Sequence, residues 1–201
     1  MAEAALTPED ILQTAEDVLR RFGPAKATVV DVARALGVSH GTVYRHFPSK
    51  AALRGAVTRR WLDRAHAALP GIAAGPEEPP ERLRLWLAAL FRAKQEKALA
   101  DPELFETYQV LVGENSELIA EHLTDLESQI AGIIQEGQQQ GDFSTGDPEV
   151  LGHVVFQATA HYHDPGYAGE WSRPGVDGEF EAVVAFVLNG LAVGRGQAGQ
   201  G

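Results

Sequence analysis

Within the twelve residues from Ser39 to Lys50 the chain gathers hydroxyl, imidazole, phenol, guanidinium and ammonium groups on Ser39, His40, Thr42, Tyr44, Arg45, His46 and Lys50. These groups donate to or accept from phosphate oxygens and base edges, and Gly41 among them lets a partner approach the backbone closely. The chemistry on offer is recognition of a polyanion, not bond making. No serine-triad elbow, phosphate loop or histidine-glutamate zinc motif occurs. The absence of cysteine removes disulfides, thiolate metal sites and cysteine nucleophiles together.

Two short helices are needed to display such a set. Thr28 reads as an N-cap with Asp31 three residues on, in the manner of a capping box. Val32, Ala33 and Leu36 then face inward, with Ala33 small where a second helix passes. Gly37 supplies the positive φ of a sharp corner. Val38 plugs that corner, Ser39 caps the next helix, and Val43 and Phe47 return it to the same core. Pro48 ends it. Ser49 and Lys50 open a further helix, whose N-terminus beside a lysine suits a phosphate. The spacing is that of a helix-turn-helix.

From Thr28 to Leu53 the chain resembles the N-terminal DNA-binding domain of the TetR family of transcriptional repressors. The matching residues are Thr28, Val32-Ala33, Leu36-Gly37-Val38-Ser39, Gly41-Thr42-Val43-Tyr44, His46-Phe47, Ser49-Lys50 and Leu53, with a weaker match across residues 8–60. The resemblance implies that Ser39 to Tyr44 enter the major groove and that Tyr44, His46 and Lys50 grip phosphates. It places base contacts around His40, Gly41 and Thr42, with Thr28 and Arg45 completing the candidate DNA-binding set. It further implies a C-terminal helical domain that binds a small-molecule effector and pairs the chain into a homodimer on a palindromic operator. The expected activity is that of a ligand-responsive repressor and not of an enzyme.

Charge divides the 201-residue chain in the same place. Residues 1–66 hold 10 Lys and Arg against 7 Asp and Glu, a net of +3, whereas residues 67–201 hold 7 against 21, a net of −14. Periodicity predicts an all-α fold with helices near 8–22, 28–36, 39–46, 49–67, 80–98, 102–112, 115–139, 148–162 and 177–194. The segment between Leu69 and Pro80, with four prolines and two glycines, reads as a connection. The expected organisation is a helix-turn-helix domain over 5–67, an effector and dimerisation domain over 68–196, and a disordered tail over 197–201.

The helix near 177–194 is apolar almost all round and that near 148–162 nearly so, which predicts a partner subunit over both. Candidate effector-pocket residues are Trp86, Leu90, Phe91, Phe105, Tyr108, Val112 and Phe156. The broken stretch His163–Val176 carries aromatics that should pack. Gly194 to Gly199 mimics a dinucleotide-binding glycine motif, but no βαβ unit can surround it. His161 and His163 would diverge on one helix unless it ends between them, and His153 lies about two turns earlier, too distant to share an ion with His161 on a straight helix, so neither metal nor cofactor is expected. A competing enzyme or carrier reading would centre on His161, Tyr162 and Asp164. The longest apolar run, Ala182 to Leu188, is too short for a membrane span, and a cytoplasmic protein is expected.

Overall fold

The first helix owes its start to Thr7, whose hydroxyl accepts from the Asp10 N–H while the Asp10 carboxylate accepts from the Thr7 N–H. That reciprocal capping box holds Asp10 below the usual carboxylate range, chiefly through the Thr7 hydroxyl. The computed structural model describes residues 6–193. Ten α-helices make up most of it: α1 Pro8–Lys26, α2 Val29–Ala35, α3 His40–His46, α4 Lys50–Ala65, α5 Leu69–Ala73, α6 Pro79–Ala100, α7 Pro102–Glu114, α8 Ser116–Gln140, α9 Pro148–Ala158 and α10 Val176–Leu191. Among the described residues the extended pairing is a single antiparallel bridge between Phe143 and Ala192.

The helix predicted near 8–22 runs on past Gly23-Pro24, which kinks it without ending it. Gly23 takes φ 71° and the chain resumes helical geometry to Lys26. Phe22, at the kink, is 43% exposed beneath the Arg21 guanidinium. The proline-rich connection contains the short helix α5, anchored by the buried Leu69. The helix expected over 148–162 stops at Ala158, where the Thr159 hydroxyl bonds back to the Val155 and Phe156 carbonyls. The chain then runs as 3₁₀ turns over Ala160–Tyr162 and Pro165–Glu170. Their aromatics do pack: Trp171 is fully buried and its indole N–H donates to the His161 carbonyl at 2.8 Å.

The described residues cluster into two units. Residues up to Arg64 form the first unit together with Asp101–Ala120; Ala65–Ala100 and the residues from Glu121 onward form the second. Helix α7 therefore belongs with the N-terminal residues. The tail over 197–201, the glycine motif and the end of the 177–194 prediction lie outside the described residues.

In the first unit Ile11, Ala15, Leu19, Val32, Val43, Leu53 and Val57 share one core with Tyr108 and Leu111 of α7. Trp61 stacks on Tyr108 with ring centroids 4.4 Å apart. Arg54 ties α4 to both neighbours, donating to the Pro24 carbonyl at 3.1 Å and to Glu114 at 2.9 Å. Arg60, nearly buried, bonds Glu9 and Gln13 at 2.8 Å and lies 3.4 Å from Glu16. Burial pushes the Glu16 carboxyl up against the pull of Arg60 and Arg64, so this pairing offsets desolvation without eliminating it.

The second unit packs α6, α8, α9 and α10 around Leu83, Trp86, Leu87, Leu90, Ile130, Ile134, Phe156 and Phe180. A Cβ on Gly152 would sit 3.0 Å from the Glu127 carbonyl and the Ala131 nitrogen of α8, so glycine permits α9 to cross that backbone closely. Arg82, buried at the start of α6, donates to Glu136 of α8 at 2.6 and 3.0 Å and to the Glu77 and Ala73 carbonyls. One face of α9 and α10 stays apolar and uncovered: Val150 and Val154 are more than half exposed and Phe186 is 79% exposed.

His66 and His163 are buried as neutral imidazoles. Desolvation lowers them to about 2 and about 4 respectively. A histidine depressed in the folded state contributes stability above its unfolded pKa and loses it as pH falls toward the folded value. The free energy of unfolding, measured in urea, is therefore expected to decline as pH drops from about 6.5 to about 4. In His163→Leu that decline should be shallower by about 3 kcal/mol; an unchanged slope would contradict the burial of a neutral ring.

Candidate nucleic-acid interface

The local build of the corner follows the residues one by one. Thr28 caps α2 through Asp31, which donates its N–H to the Thr28 hydroxyl at 3.2 Å and accepts the Thr28 N–H at 3.1 Å. Bonding to the Thr28 hydroxyl holds the Asp31 carboxyl below its ordinary range. Helix α2 ends at Ala35, and Gly37 turns the chain at φ 68°. Nothing lies within 4 Å of where a Gly37 Cβ would stand, so conformation and not space requires glycine there. Ser39 then caps α3, accepting from the Thr42 N–H at 3.2 Å.

Helix α3 has only seven residues, and a single side chain carries its packing. Val43 is completely buried, while Leu36, Val38 and Phe47 close over the same core from either side. The remainder faces away. Thr28, Ser39, His40, Gly41, Tyr44, Arg45, His46 and Lys50 are all exposed, and Thr42 is half-buried. The structure thus brings eight of the nine candidate residues together on or beside α3, with Thr28 at the start of α2.

Several of these side chains are held by neighbours. The Ser39 and Thr42 hydroxyls lie 3.0 Å apart, Arg45 reaches Thr42 at 3.4 Å, and the His40 and Tyr44 rings meet edge to face at 6.3 Å. Past Pro48, the Ser49 hydroxyl accepts from the Ala52 N–H at 3.0 Å, which sets Lys50 at the first position of α4. Gly41 has room for a side chain, since its Cβ would approach only the Ser39 hydroxyl, at 3.7 Å. The protein's own packing gives no reason for glycine at that exposed position. A partner laid against the backbone would.

The candidate effector residues are divided between the two units. Phe105, Tyr108 and Val112 sit on α7 in the first unit, where Tyr108 is core and Phe105 packs near Trp61. Trp86 and Leu90 are core of the second unit, and the Trp86 indole N–H is already satisfied by Gln129 at 3.0 Å. Of the expected set, Phe91 lines a cleft of about 490 Å³ between α6 and α10, together with Gln95 and Phe180. Phe156 stacks on His163 with centroids 4.2 Å apart.

No sequence signal marks the pair formed by the buried His66 and the half-buried His122. His122 Nε2 lies 2.8 Å from His66 Nδ1, with the rings stacked, across a separation of 56 residues. No spacing rule spans such an interval. Three further histidines have hydrogen-bond or ion-pair partners of their own: His153 meets Glu127, His161 meets Glu170 and His163 Nε2 bonds the Phe156 carbonyl. Among the described residues no group of three or more potential ligands could hold a metal. No helix among them is long and apolar enough to cross a membrane.

A buried corner that holds a short polar helix clear of its own core is the architecture of a helix-turn-helix DNA-binding protein. Comparison with known proteins narrows the class. Residues 11–57 match the family described as bacterial regulatory proteins, tetR family, and residues 79–184 match the tetracyclin repressor-like C-terminal domain. The chain is 26% identical over 192 residues to the HTH-type transcriptional repressor KstR2 of Rhodococcus jostii strain RHA1, covering 91% of this chain and 90% of that one. Solved structures with the same fold include SmeT, the repressor of the Stenotrophomonas maltophilia multidrug efflux pump SmeDEF (TM-score 0.69, 17% identity, 95% of this chain and 93% of that one). Another is the fatty acid degradation regulator FadR from Bacillus halodurans (TM-score 0.63, 18% identity, 92% and 100%). The chain belongs to the TetR family and is a transcriptional regulator with a DNA-binding helix-turn-helix domain.

The two glycines of the corner separate folding from recognition. Gly37→Ala should lower stability by roughly 1–2 kcal/mol through its left-handed conformation. Gly41→Ala should leave stability unchanged or raise it by up to about 1 kcal/mol, as expected within a helix, yet weaken DNA binding. Melting curves beside duplex-binding titrations check both. A Gly41→Ala protein that is destabilised would show that the glycine serves packing after all.

Proposed function

We propose that the protein is a ligand-responsive repressor that binds a near-palindromic operator as a homodimer, reading each half-site with α3. The observation that carries this reading is the exposure of His40, Gly41, Tyr44, Arg45, His46 and Lys50 around the single buried anchor Val43. His40, Gly41 and Thr42 supply base contacts; Tyr44, His46 and Lys50 hold phosphates, with Ser39, Arg45 and Thr28 beside them. The domain roles follow: the N-terminal residues read DNA, and the acidic remainder holds the effector and the partner subunit.

The homodimer reading draws support from the uncovered apolar face of α9 and α10. Val150 and Val154 stand one turn apart on α9, and Ala182, Phe186 and Val193 are exposed along and just beyond α10. A helix face of this kind lowers its free energy by meeting a like face, and a two-fold axis through it makes the contact self-complementary. Two reading heads then share one operator, which offsets the modest charge of each. An effector that prefers a conformation unsuited to that operator would release it by its differential affinity. A regulator of this kind works in the cytoplasm, where its operator is.

Selection of bound duplexes from random DNA tests the reading, and a dyad-symmetric consensus is the expected result. On that duplex, Tyr44→Ala and Lys50→Ala should each bind at least about tenfold more weakly at unchanged melting temperature. Lys50→Ala should also flatten the dependence of affinity on salt by about one ion per subunit. Enrichment of no sequence at all would defeat the operator proposal. Separately, Phe186→Asp should turn a dimer into a monomer in sedimentation equilibrium, because the charge would be buried against its own copy. A wild-type protein that sediments as a monomer at micromolar concentration would remove the interface.

A further inference from the structure

We propose that the interior cluster of His66, Lys94, His122 and His163 is the head-group site of the effector, and that the effector is a carboxylate carrying an apolar body. The proposal rests on the reading of the second unit as the effector domain and supplies that unit with a ligand chemistry.

Four separate stretches of chain contribute. His66 precedes α5, Lys94 lies on α6, His122 on α8, and His163 follows the first 3₁₀ turn. His66, Lys94 and His163 are each less than a tenth exposed. His66 lies within electrostatic reach of Lys94, His122 and His163, and His163 within reach of Lys94 and of the exposed Asp164. Burial lowers Lys94 to about 8 while Asp164 pulls it upward, so its ammonium remains charged at neutral pH. The imidazoles of His66 and His163 are neutral there. The cluster therefore presents one buried positive charge among uncharged ring N–H groups.

One of those groups is unspent. His66 meets His122 through Nδ1, and its Nε2 is buried with no hydrogen-bond partner. In the proposed site His122 Nε2 donates to His66 Nδ1, the tautomer that leaves the His66 proton on Nε2 as a donor. A buried donor without a partner is costly; a ligand oxygen arriving beside Lys94 would satisfy it.

The surroundings describe the rest of the ligand. Phe91, Tyr162 and Phe180 pack mutually with centroids 4.9–5.3 Å apart. Phe91 and Phe180 also line the 490 Å³ cleft along α6, whose other side chains include Arg92, Gln95, Asp177 and Glu181. The packed aromatic trio, and not this polar cleft, favours an apolar body. A single ammonium matches a monoanion, whereas a phosphate dianion would leave surplus negative charge in an already acidic unit. A cationic ligand would be repelled by Lys94.

Calorimetric titration of the full-length protein with decanoate and with decanol, near pH 8 in two buffers of different ionisation enthalpy, tests the assignment. Decanoate should bind and decanol should bind far more weakly. Decanoate should also bring proton uptake, because a carboxylate beside Lys94 raises its pKa. Lys94→Met should weaken decanoate binding about 10- to 100-fold, the loss expected for a bond to a charged group, and abolish the proton uptake. His66→Phe should weaken binding about tenfold and serves as the second variant should Lys94→Met fail to fold. Equal affinity for decanol, no binding of decanoate, or a Lys94→Met protein that binds decanoate like wild type would each overturn the site. Operator binding without ligand is read on the same samples. If it is normal and a cation, not decanoate, releases the DNA, the carboxylate site is wrong and the ligand-responsive regulator stands.

Discussion

A helix of two turns cannot persist in water by itself, because nucleation costs more than so few hydrogen bonds return. Helix α3 is such a helix, and the DNA-reading surface proposed for this protein is built on it. Its order is borrowed from below through Val43, which has no solvent exposure, and from its ends through the Ser39 cap and the Phe47 closure. Once Val43 and Phe47 are committed to the core and Ser39 to the cap, the remaining side chains of α3 are free to face outward. Packing and recognition are thereby assigned to different residues of one short element.

Charge is managed by a comparable separation. The net +3 of residues 1–66 coexists with ion pairs that consume part of it, since Arg54 and Arg60 are turned inward and pair with Glu114, Glu9 and Glu16. The cations left outside on the corner are few: Arg34, which pairs with Asp31, then Arg45 and Lys50. Within the acidic unit the arrangement is reversed, with Arg82 and Lys94 buried while most carboxylates lie on exposed positions. The formal charge of each part says little about what its interior contains.

The corner was legible in the sequence because every signal that builds it is local. Thr28 with Asp31, Gly37, Ser39, and the spacing of Val43 and Phe47 act over four residues or fewer, and the structure places each as its spacing implied. Legibility failed where contacts are distant or where breakers are tolerated. Gly23-Pro24 interrupts α1 without ending it, and Leu69 anchors a helix in a stretch rich in proline. Apolar periodicity on α7 could not tell which core Phe105 and Tyr108 would join. The His66–His122 pair had no signature at all, because its geometry exists only after α8 has folded beside the chain that precedes α5.

The first unit draws on two separated stretches of chain, and this bears on how such proteins can be rearranged. Tyr108 and Leu111 arrive from beyond residue 100 to finish a core begun by Ile11. A cut near residue 67, where charge and prolines invite one, would strip that core of two buried side chains and leave the Trp61 ring without its stacking partner. Grafting the reading head onto a foreign sensor, in the laboratory or by recombination, therefore means carrying α7 along as well.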